Sequence, residues 1–281
     1  IDYISKYDFY GELAQKAIDI AEQYDEGVYA IVGLHPIHTN DSFHDEDELG
    51  EGNTTFSSRG EVFDTTYYKQ LATHEKVVGI GETGLDYFRL EGETLEKQRE
   101  AFIAQIELAN EVQKPLMLHI RPSQENTEVY QDALEILQKY AKVPGNAHFF
   151  AGSKEDAKGF LDIGYTISFT GVITFTQDYD DIIKYVPQES LLSETDAPYV
   201  APVPHRGKRN EPLYVQEVVK RIGEIKNIPA EEIQQQLIPR INHLIEQKCR
   251  PGLGVILVGE NEASLSYVLM KQKACSELGI K

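Results

Sequence analysis

Four side chains that can bind a metal ion each follow a short apolar segment of this sequence. They are Glu82, His119, His148 and Asp196. Imidazole nitrogens and carboxylate oxygens together suit Mg²⁺, Mn²⁺ or Zn²⁺, and two such ions can hold a phosphodiester between them and activate a water molecule. Glu82 suits a bridging position because one carboxylate offers two oxygens, and Asp196 could also orient or deprotonate the attacking water. The chemistry expected of these residues is metal-assisted hydrolysis.

The apolar segments before these side chains predict β-strands. They are residues 77–80, 115–118, 191–192 and the weaker 145–147. Short apolar runs separated by helix-length segments indicate buried parallel strands joined by crossover helices. In a closed barrel of such units the carboxyl ends of the strands meet at one face, where active sites lie. The sequence therefore predicts an α/β fold, a (β/α)8 TIM-type barrel, with the four side chains at its mouth.

Length and composition fit a barrel domain in a reducing compartment. The chain has 281 residues, against about 250 in a typical barrel of this type. No stretch approaches the roughly 18 apolar residues of a membrane span. The two cysteines, Cys249 and Cys275, form neither a disulfide framework nor a zinc motif. We therefore expect a cytoplasmic protein that does not contact a membrane, and no obligate protein partner is evident.

The net charge of −19 argues against a protein that wraps or slides along DNA, because such proteins neutralise phosphates with a basic surface. It is compatible with an enzyme that holds one strand end through bound metals and a local basic loop. Residues 205–209, His-Arg-Gly-Lys-Arg, form such a loop after Asp196. His205, Arg206 and Arg209 are therefore candidate phosphate contacts, and a solvated basic loop is the alternative.

At these residues the chain resembles the TatD family of metal-dependent deoxyribonucleases, a branch of the amidohydrolase-like barrels. The matching segments are Gly-Glu-Thr-Gly-Leu-Asp-Tyr from residue 81, the His-x-Arg pair at 119 and 121, His148 with its Phe and Gly, and the run from Glu194 to Pro212. The resemblance implies that Glu82, His119, His148 and Asp196 bind two divalent metal ions, with Glu82 bridging them. It also implies Mg²⁺ or a similar ion, and 3′-to-5′ removal of nucleotides from single-stranded DNA ends.

Three further residues are candidates for substrate binding. Arg121 could contact a phosphate with two parallel hydrogen bonds, or it could pair structurally with Glu82 or Asp86. In the family pattern His35 is a second-layer or substrate-side residue, and a turn histidine before proline is the alternative. Tyr87 could stack on a base, although it could equally be a packing residue.

The amino-terminal part of the chain departs from the family pattern. In the TatD family the first barrel strand ends in a His-x-His pair that completes the metal site, and this sequence contains no such pair. The nearest match, residues 35–38 (His-Pro-Ile-His), corresponds to the next strand end. We therefore expect the barrel to lack its first strand.

The sequence changes character near residue 230. An apolar helical face at residues 233–245, a strand-like run at 253–259 and a helix-like stretch around Tyr267 and Lys271 predict a helix–strand–helix extension. This extension is similar to the start of the methylenetetrahydrofolate dehydrogenase/cyclohydrolase family, in which the residues matching Tyr267 and Lys271 lie in the folate site.

Two regions follow from these resemblances. Residues 1–229 are predicted to form the TatD-like hydrolase barrel, and residues 230–281 a truncated folate-enzyme-like fragment. That fragment is too short to supply the nucleotide-binding domain of such an enzyme, so folate chemistry ranks last among the possible functions.

Two other functions stay open beside DNA hydrolysis. The same metal centre could hydrolyse a small ester, amide, lactone or phosphotriester, because a fold does not fix its substrate. Alternatively, the missing His-x-His ligands could leave a catalytically impaired barrel.

Overall fold

The computed structural model describes residues 10–25, 27–44, 56–58, 60–88, 94–123 and 126–228. Those residues divide into two compact units. The first holds residues up to 20 and from 30 to 166, and the second holds residues 21–29 and those from 167 onward. The predicted extension at 230–281 lies outside the described residues, so the predicted boundary near residue 229 stays a prediction.

The first unit alternates strands with helices after an opening helix. Its elements are α1 (Tyr10–Ala21), β1 (Ala30–Val32), β2 (Ser42–His44), β3 (Phe56–Ser58), α2 (Thr65–Ala72), β4 (Val77–Asp86), α3 (Thr94–Val112), β5 (Leu116–Arg121), α4 (Val129–Tyr140), β6 (Gly145–Ala147) and α5 (Lys154–Asp162). A short 3₁₀ turn, Pro36–Thr39, follows β1. Strands β1, β4, β5 and β6 pair side by side, and each pairing is parallel. The predicted parallel strands with crossover helices are therefore confirmed.

The second unit continues the same alternation. Its elements are β7 (Thr166–Phe169), α6 (Asp180–Tyr185), β8 (Leu191–Ser193) and α7 (Val215–Lys226), with 3₁₀ turns at Gly171–Thr174, Gln188–Ser190 and Pro212–Tyr214. Strands β7 and β8 are parallel. Arg221 of α7 makes two bonds to the Asp180 carboxylate, of 2.7 and 2.8 Å, and its Nε donates to the Ile173 carbonyl. This side chain therefore connects α7 to α6 and to the 3₁₀ turn at Gly171–Thr174.

Alternating burial along β5 sets the direction of its functional side chains. Leu116, Leu118 and Ile120 are buried, whereas the residues between them are partly exposed. Successive side chains of a strand point to opposite faces. His119 and Arg121 therefore share the face opposite to the apolar core side chains.

Leu95, Phe102, Ile106 and Ala109 recur at helical spacing in the sequence, which predicts an amphipathic helix over residues 94–112, and α3 matches it. Phe102, Ile106 and Ala109 are fully buried on one face. The same face carries two buried glutamines, Gln98 and Gln105, although an apolar stripe is the expected pattern for a core-facing helix. Their contacts with the strand ends explain this exception.

Residues 39–66 are polar, with an acidic run and several glycines, a composition that predicts a surface loop or insertion. Within its described part, β2 and β3 form a short antiparallel pair that joins Ser42 to Ser58 and His44 to Phe56. Residues 42–44 and 56–58 show no alternating apolar pattern from which these strands could be predicted.

None of the helices in the described ranges combines the length and the apolar composition that a membrane-spanning segment requires.

Candidate metal centre

Glu82 and His119 lie within their strands, not beyond the strand ends as the sequence predicted. Strand β4 runs on to Asp86 and β5 to Arg121. A Gly-Glu-Thr-Gly segment is typical of a turn, but parallel pairing with β5 keeps it extended. His148, by contrast, directly follows β6, and its N–H donates to the Leu118 carbonyl of β5.

Two glycines of β4, Gly81 and Gly84, lie so close to the backbone of β5 that a larger side chain would not fit at either position. Gly84 has φ +145°, and a Cβ added there would lie 2.1 Å from the His119 carbonyl oxygen. Gly81 has φ +158°, and its added Cβ would lie 2.5 Å from the Met117 carbonyl oxygen. Real Cβ atoms do not tolerate such distances, and L side chains rarely adopt these φ values. The spacing of the two glycines around Glu82 is therefore a packing requirement.

Three histidines surround the Glu82 carboxylate, and they divide between its two oxygens. Oε2 lies 3.6 Å from His35 Nε2 and 3.7 Å from His119 Nδ1. Oε1 lies 3.7 Å from His148 Nε2. We call the group formed by His35, His119 and Oε2 the Oε2 side, and the pair formed by His148 and Oε1 the Oε1 side.

These spacings fit ligands that converge on metal ions. They are longer than the about 2.7–3.2 Å of a hydrogen bond, and ligand atoms at about 2.0–2.2 Å from one ion lie roughly 3–3.5 Å apart. The ligand-type atoms of His35, Glu82 and His119 all lie within 4.8 Å of one another. Small side-chain rotations would bring them to one ion, so the donor set fits a divalent metal on the Oε2 side.

Asp86 orients His119 from the opposite end of the imidazole ring. Its Oδ2 lies 2.8 Å from His119 Nε2, and its Oδ1 accepts the Phe88 N–H at 2.9 Å. The Asp86 side chain is only 3% exposed. A carboxylate on one ring nitrogen, with the other nitrogen directed at the metal, is the usual arrangement around a metal-binding histidine. The sequence prediction considered Asp86 only as a structural partner of Arg121.

The neighbouring charges set the protonation states of the metal-free centre. Burial alone raises the pKa of Glu82, but the contact with His119 and the charges of His148 and His35 lower it well below its usual value. Burial and the charge of His119 lower the pKa of His35 well below 6.5. Burial also lowers the pKa of His119, but the contacts with Asp86 and Glu82 outweigh it and raise the pKa to about 8. Glu82 is therefore anionic and His35 neutral at pH 7, as metal ligands must be.

Arg121 is the last residue of β5 and Tyr87 directly follows β4, but their side chains have different surroundings. The Arg121 guanidinium stacks 3.9 Å over the Phe88 ring. Tyr87 is 2% exposed, and its hydroxyl donates to the Asp132 carboxylate. Burial and that hydrogen bond raise the pKa of Tyr87. These contacts favour the packing role of Tyr87 over stacking on a base.

Asp196 belongs to the second unit, in the loop that follows β8. Its φ is +54°, and its carbonyl accepts the Tyr199 N–H at 2.9 Å. The buried Asn210 closes this loop, since its Nδ2 donates to the carbonyls of Thr195 at 2.7 Å and Tyr199 at 2.6 Å. The metal-binding and base roles of Asp196 stay predictions.

The basic loop of the second unit is partly fixed by aromatic contacts. His205 stacks on Tyr214 with ring centroids 3.7 Å apart. The Arg206 guanidinium lies 4.0 Å from the Phe175 ring centroid and donates to the Ala201 carbonyl. Arg209 is exposed.

His35 is the member of the cluster that the sequence analysis did not place among the metal ligands. It was predicted to be a second-layer or substrate-side residue, or a turn histidine. Its signal was nevertheless the same as that of the other histidines, because an apolar run at residues 29–34 precedes it.

The profile of the TatD related DNase family matches residues 5–245. The chain belongs to this family. Among its relatives, the metal-dependent hydrolase YcfH of Escherichia coli strain K12 is 36% identical over 221 residues, which is 77% of this chain and 73% of YcfH. The metal-dependent hydrolase YabD of Bacillus subtilis is 36% identical over 222 residues, which is 78% of this chain and 77% of YabD.

Solved structures agree with this family membership. The crystal structure of YjjV, a TatD homologue from E. coli K12, matches with a TM-score of 0.64 and 27% identity, covering 83% of this chain and 82% of YjjV. A TatD-family hydrolase from Entamoeba histolytica has the same fold, with a TM-score of 0.58 and 24% identity, over 77% of this chain and 75% of that protein. The predicted amidohydrolase-like α/β barrel class is confirmed by these similarities.

A second family profile matches the end of the chain. It is the catalytic domain of tetrahydrofolate dehydrogenase/cyclohydrolase, over residues 226–281. This profile covers the segment around Tyr267 and Lys271 for which the sequence analysis states the same resemblance.

Proposed function

We propose that this TatD-family protein hydrolyses phosphodiester bonds at the ends of single-stranded DNA, with two divalent metal ions as cofactors. Mg²⁺ is the first candidate, and Mn²⁺ and Zn²⁺ are alternatives. The observation that supports the proposal best is the division of the histidines between the two oxygens of Glu82. A carboxylate with imidazole ligands at each oxygen is suited to bridge two ions.

The bound metals would supply Lewis acidity toward a phosphate and activation of a water molecule. Glu82 and His119 would bind on the Oε2 side, and Glu82 and His148 on the Oε1 side. Asp86 would hold the His119 ring with Nδ1 toward the metal. From the second unit, Asp196 is the proposed fourth ligand and the group that takes a proton from the attacking water.

The proposed substrate contacts come from the arginines and from the basic loop. The Arg121 guanidinium carbon lies 3.9 Å from the Phe88 ring centroid, and within the described residues no carboxylate forms an ion pair with this guanidinium. Its donors can therefore form two parallel bonds to a phosphate. His205, Arg206 and Arg209 are proposed as additional phosphate contacts. For the folate-enzyme-like segment 230–281 we propose no activity.

The test compares the wild type with Glu82→Gln on an oligonucleotide labelled at either end. We expect 3′-to-5′ shortening by the wild type, loss of activity on chelation, and recovery on addition of Mg²⁺. Glu82→Gln should be inactive, while Glu107→Gln, an exposed position on α3, should retain wild-type activity. Hydrolysis that persists in Glu82→Gln or under chelation would contradict the proposal.

Small-molecule substrates are tested in parallel. Turnover of a lactone, amide or phosphotriester, without turnover of DNA, would assign the metal centre to the alternative substrate class. At most trace metal binding, together with no turnover of DNA or of a small substrate, would support the impaired barrel.

A further inference from the structure

A buried glutamine of α3 binds the backbone next to His35. The Leu34 N–H donates to Gln105 Oε1 at 2.8 Å, and Gln105 Nε2 donates to the Leu34 carbonyl at 2.9 Å. Gln105 is 1% exposed and Leu34 is also 1% exposed. One side-chain amide therefore satisfies both polar backbone groups of the residue that precedes a metal-ligand candidate.

A second glutamine makes the same pair of bonds at the end of β4. The Asp86 N–H donates to Gln98 Oε1 at 2.8 Å, and Gln98 Nε2 donates to the Asp86 carbonyl at 3.0 Å. Gln98 is 2% exposed. The Asp86 side chain in turn holds His119 at 2.8 Å.

The two glutamines form a matched pair because of their spacing on one helix. They are seven residues apart, about two helical turns, and Phe102, fully buried, lies between them on the same face. A glutamine amide has the same donor and acceptor as a peptide unit. Each glutamine can therefore fix the position and the orientation of the strand segment it contacts, and one rigid helix sets the two segments relative to each other.

The two segments that the glutamines contact, at Leu34 and at Asp86, both lead to histidines of the Oε2 side. His35 follows Leu34, and Asp86 orients His119, and these two histidines face Glu82 Oε2 at 3.6 and 3.7 Å. His148 faces the other oxygen, and its N–H bonds to the Leu118 carbonyl of β5. The hydrogen bonds of Gln98 and Gln105 thus reach the segments of the two histidines on the Oε2 side.

We infer that Gln98 and Gln105 are positioning residues that set the metal affinity of the Oε2 side, leaving the Oε1 side largely unaffected. The inference rests on the metal centre of the proposed function. A satisfied buried amide would also contribute to stability, so the test must separate metal binding from folding.

The experiment is calorimetric titration of the metal-free full chain with Mn²⁺, well below the unfolding temperature of every variant. The variants are Gln98→Met and Gln105→Met, which keep the side-chain length but remove the amide. Phe102→Leu is the matched control, because it weakens the packing of the same buried helix face and leaves both glutamine amides in place. If a methionine variant does not fold, Gln98→Glu or Gln105→Glu takes its place, since glutamate keeps an acceptor for the backbone N–H.

We expect the wild type to bind two Mn²⁺ ions, and each glutamine variant to bind one of them about tenfold more weakly or worse, the effect typical of losing an outer partner of a metal ligand. The second ion should bind with an affinity within about twofold of the wild type, and Phe102→Leu should lose stability but neither affinity. A second readout is the imidazole NMR signals of the metal-free variants, where His119 and His35 should shift more than His148.

Three results would contradict the inference. Folded glutamine variants with unchanged affinities would overturn it, and so would an equal loss in Phe102→Leu, which would indicate a structural role alone. A wild type that binds no Mn²⁺ would contradict the metal centre itself, and with it the proposed function. The first two results would leave the proposed function intact.

Discussion

Glu82 in the first unit is held by paired strands, whereas Asp196 in the second unit lies in a loop whose carbonyls are bonded by the side chain of Asn210. The position of Glu82 follows from the register of β4 and β5 and from the two glycines beside it. The conformation around Asp196 depends on the Asn210 amide and its bonds to the Thr195 and Tyr199 carbonyls. A strand-built site should fail when the strands are separated, and a loop-built site when one amide is removed.

Gly84→Ala is expected to have the largest effect. The new methyl group would lie 2.1 Å from the His119 carbonyl oxygen, at a φ of +145°. Overpacking costs about 1–3 kcal/mol and a backbone conformation that favours glycine roughly 1–3 kcal/mol more, so urea unfolding should show a loss of about 3 kcal/mol or greater. Gly164→Ala is the control, because its φ is +79° but nothing lies within 4 Å of the added methyl group. A loss at Gly84 no larger than that at Gly164 would show that the strands can separate freely.

Asp86→Asn tests the partner of His119 without changing the shape of the side chain. A neutral amide holds the imidazole less firmly and no longer favours the tautomer that directs Nδ1 at the metal. We expect metal affinity on the Oε2 side to fall about 10- to 100-fold, measured by titration with Mn²⁺. Asp64→Asn, at the N-cap of α2, should have no effect on affinity, because asparagine caps a helix as well as aspartate does. Unchanged affinity in Asp86→Asn would remove Asp86 from the metal centre.

Asn210→Ala tests the second unit in the same way. The variant removes two short hydrogen bonds to loop carbonyls, at a cost of about 2–3 kcal/mol. Asn210→Asp keeps the acceptor for the Glu211 N–H but not the donors, so it should lose nearly as much. Urea unfolding measures both variants. If Asn210→Asp is tolerated while Asn210→Ala is not, the bonds from Nδ2 to the carbonyls contribute little. The loop would then depend on the bond from the Glu211 N–H to the side-chain oxygen at position 210.

The smallest expected effect is a pH dependence of the folding stability of the metal-free protein, which follows from the raised pKa of His119. Because the folded pKa is about 8 and the usual value 6.5, protonated His119 contributes stability that is fully present below pH 6.5. That stability is lost as pH rises through about 8, and the change should be on the order of 1 kcal/mol after solvent screening. Metal binding has the opposite sign, since the ion displaces this proton and its affinity rises toward pH 8.

The measurement is the thermal midpoint of the metal-free protein from pH 6 to 9, with an NMR titration of the His119 ring. In Asp86→Asn the NMR pKa should fall toward 6.5 and the thermal midpoint should vary less over this range. A wild-type His119 that titrates near 6.5 would show that Asp86 and Glu82 do not act on it as the geometry indicates.

Local patterns predicted much of the fold, including the strands that carry the candidate ligands. Apolar runs revealed the strands that carry Glu82 and His119, and helical spacing revealed α3. These predictions succeeded because burial of alternating or periodic apolar side chains leaves its record within a few residues of sequence. The boundaries were less accurate, since the glycines of β4 indicate a turn until the neighbouring strand is known.

Gln98 and Gln105 show where sequence patterns fail. By polarity both should face solvent, yet both are buried, because their amides satisfy strand-end backbone groups. Gln105 and its partner Leu34 are 71 positions apart, and no local pattern connects them.

The sequence by itself determined the family, the alternation of strands and helices, and which side chains offer metal ligands, because these depend on residue type and short-range spacing. Only the tertiary structure decided that the histidines divide between the two oxygens of Glu82, that Asp86 orients His119, and that His35 joins the Oε2 side. Those relations depend on strand register and on contacts between distant segments, where a shift of one residue along a strand turns a side chain to the opposite face.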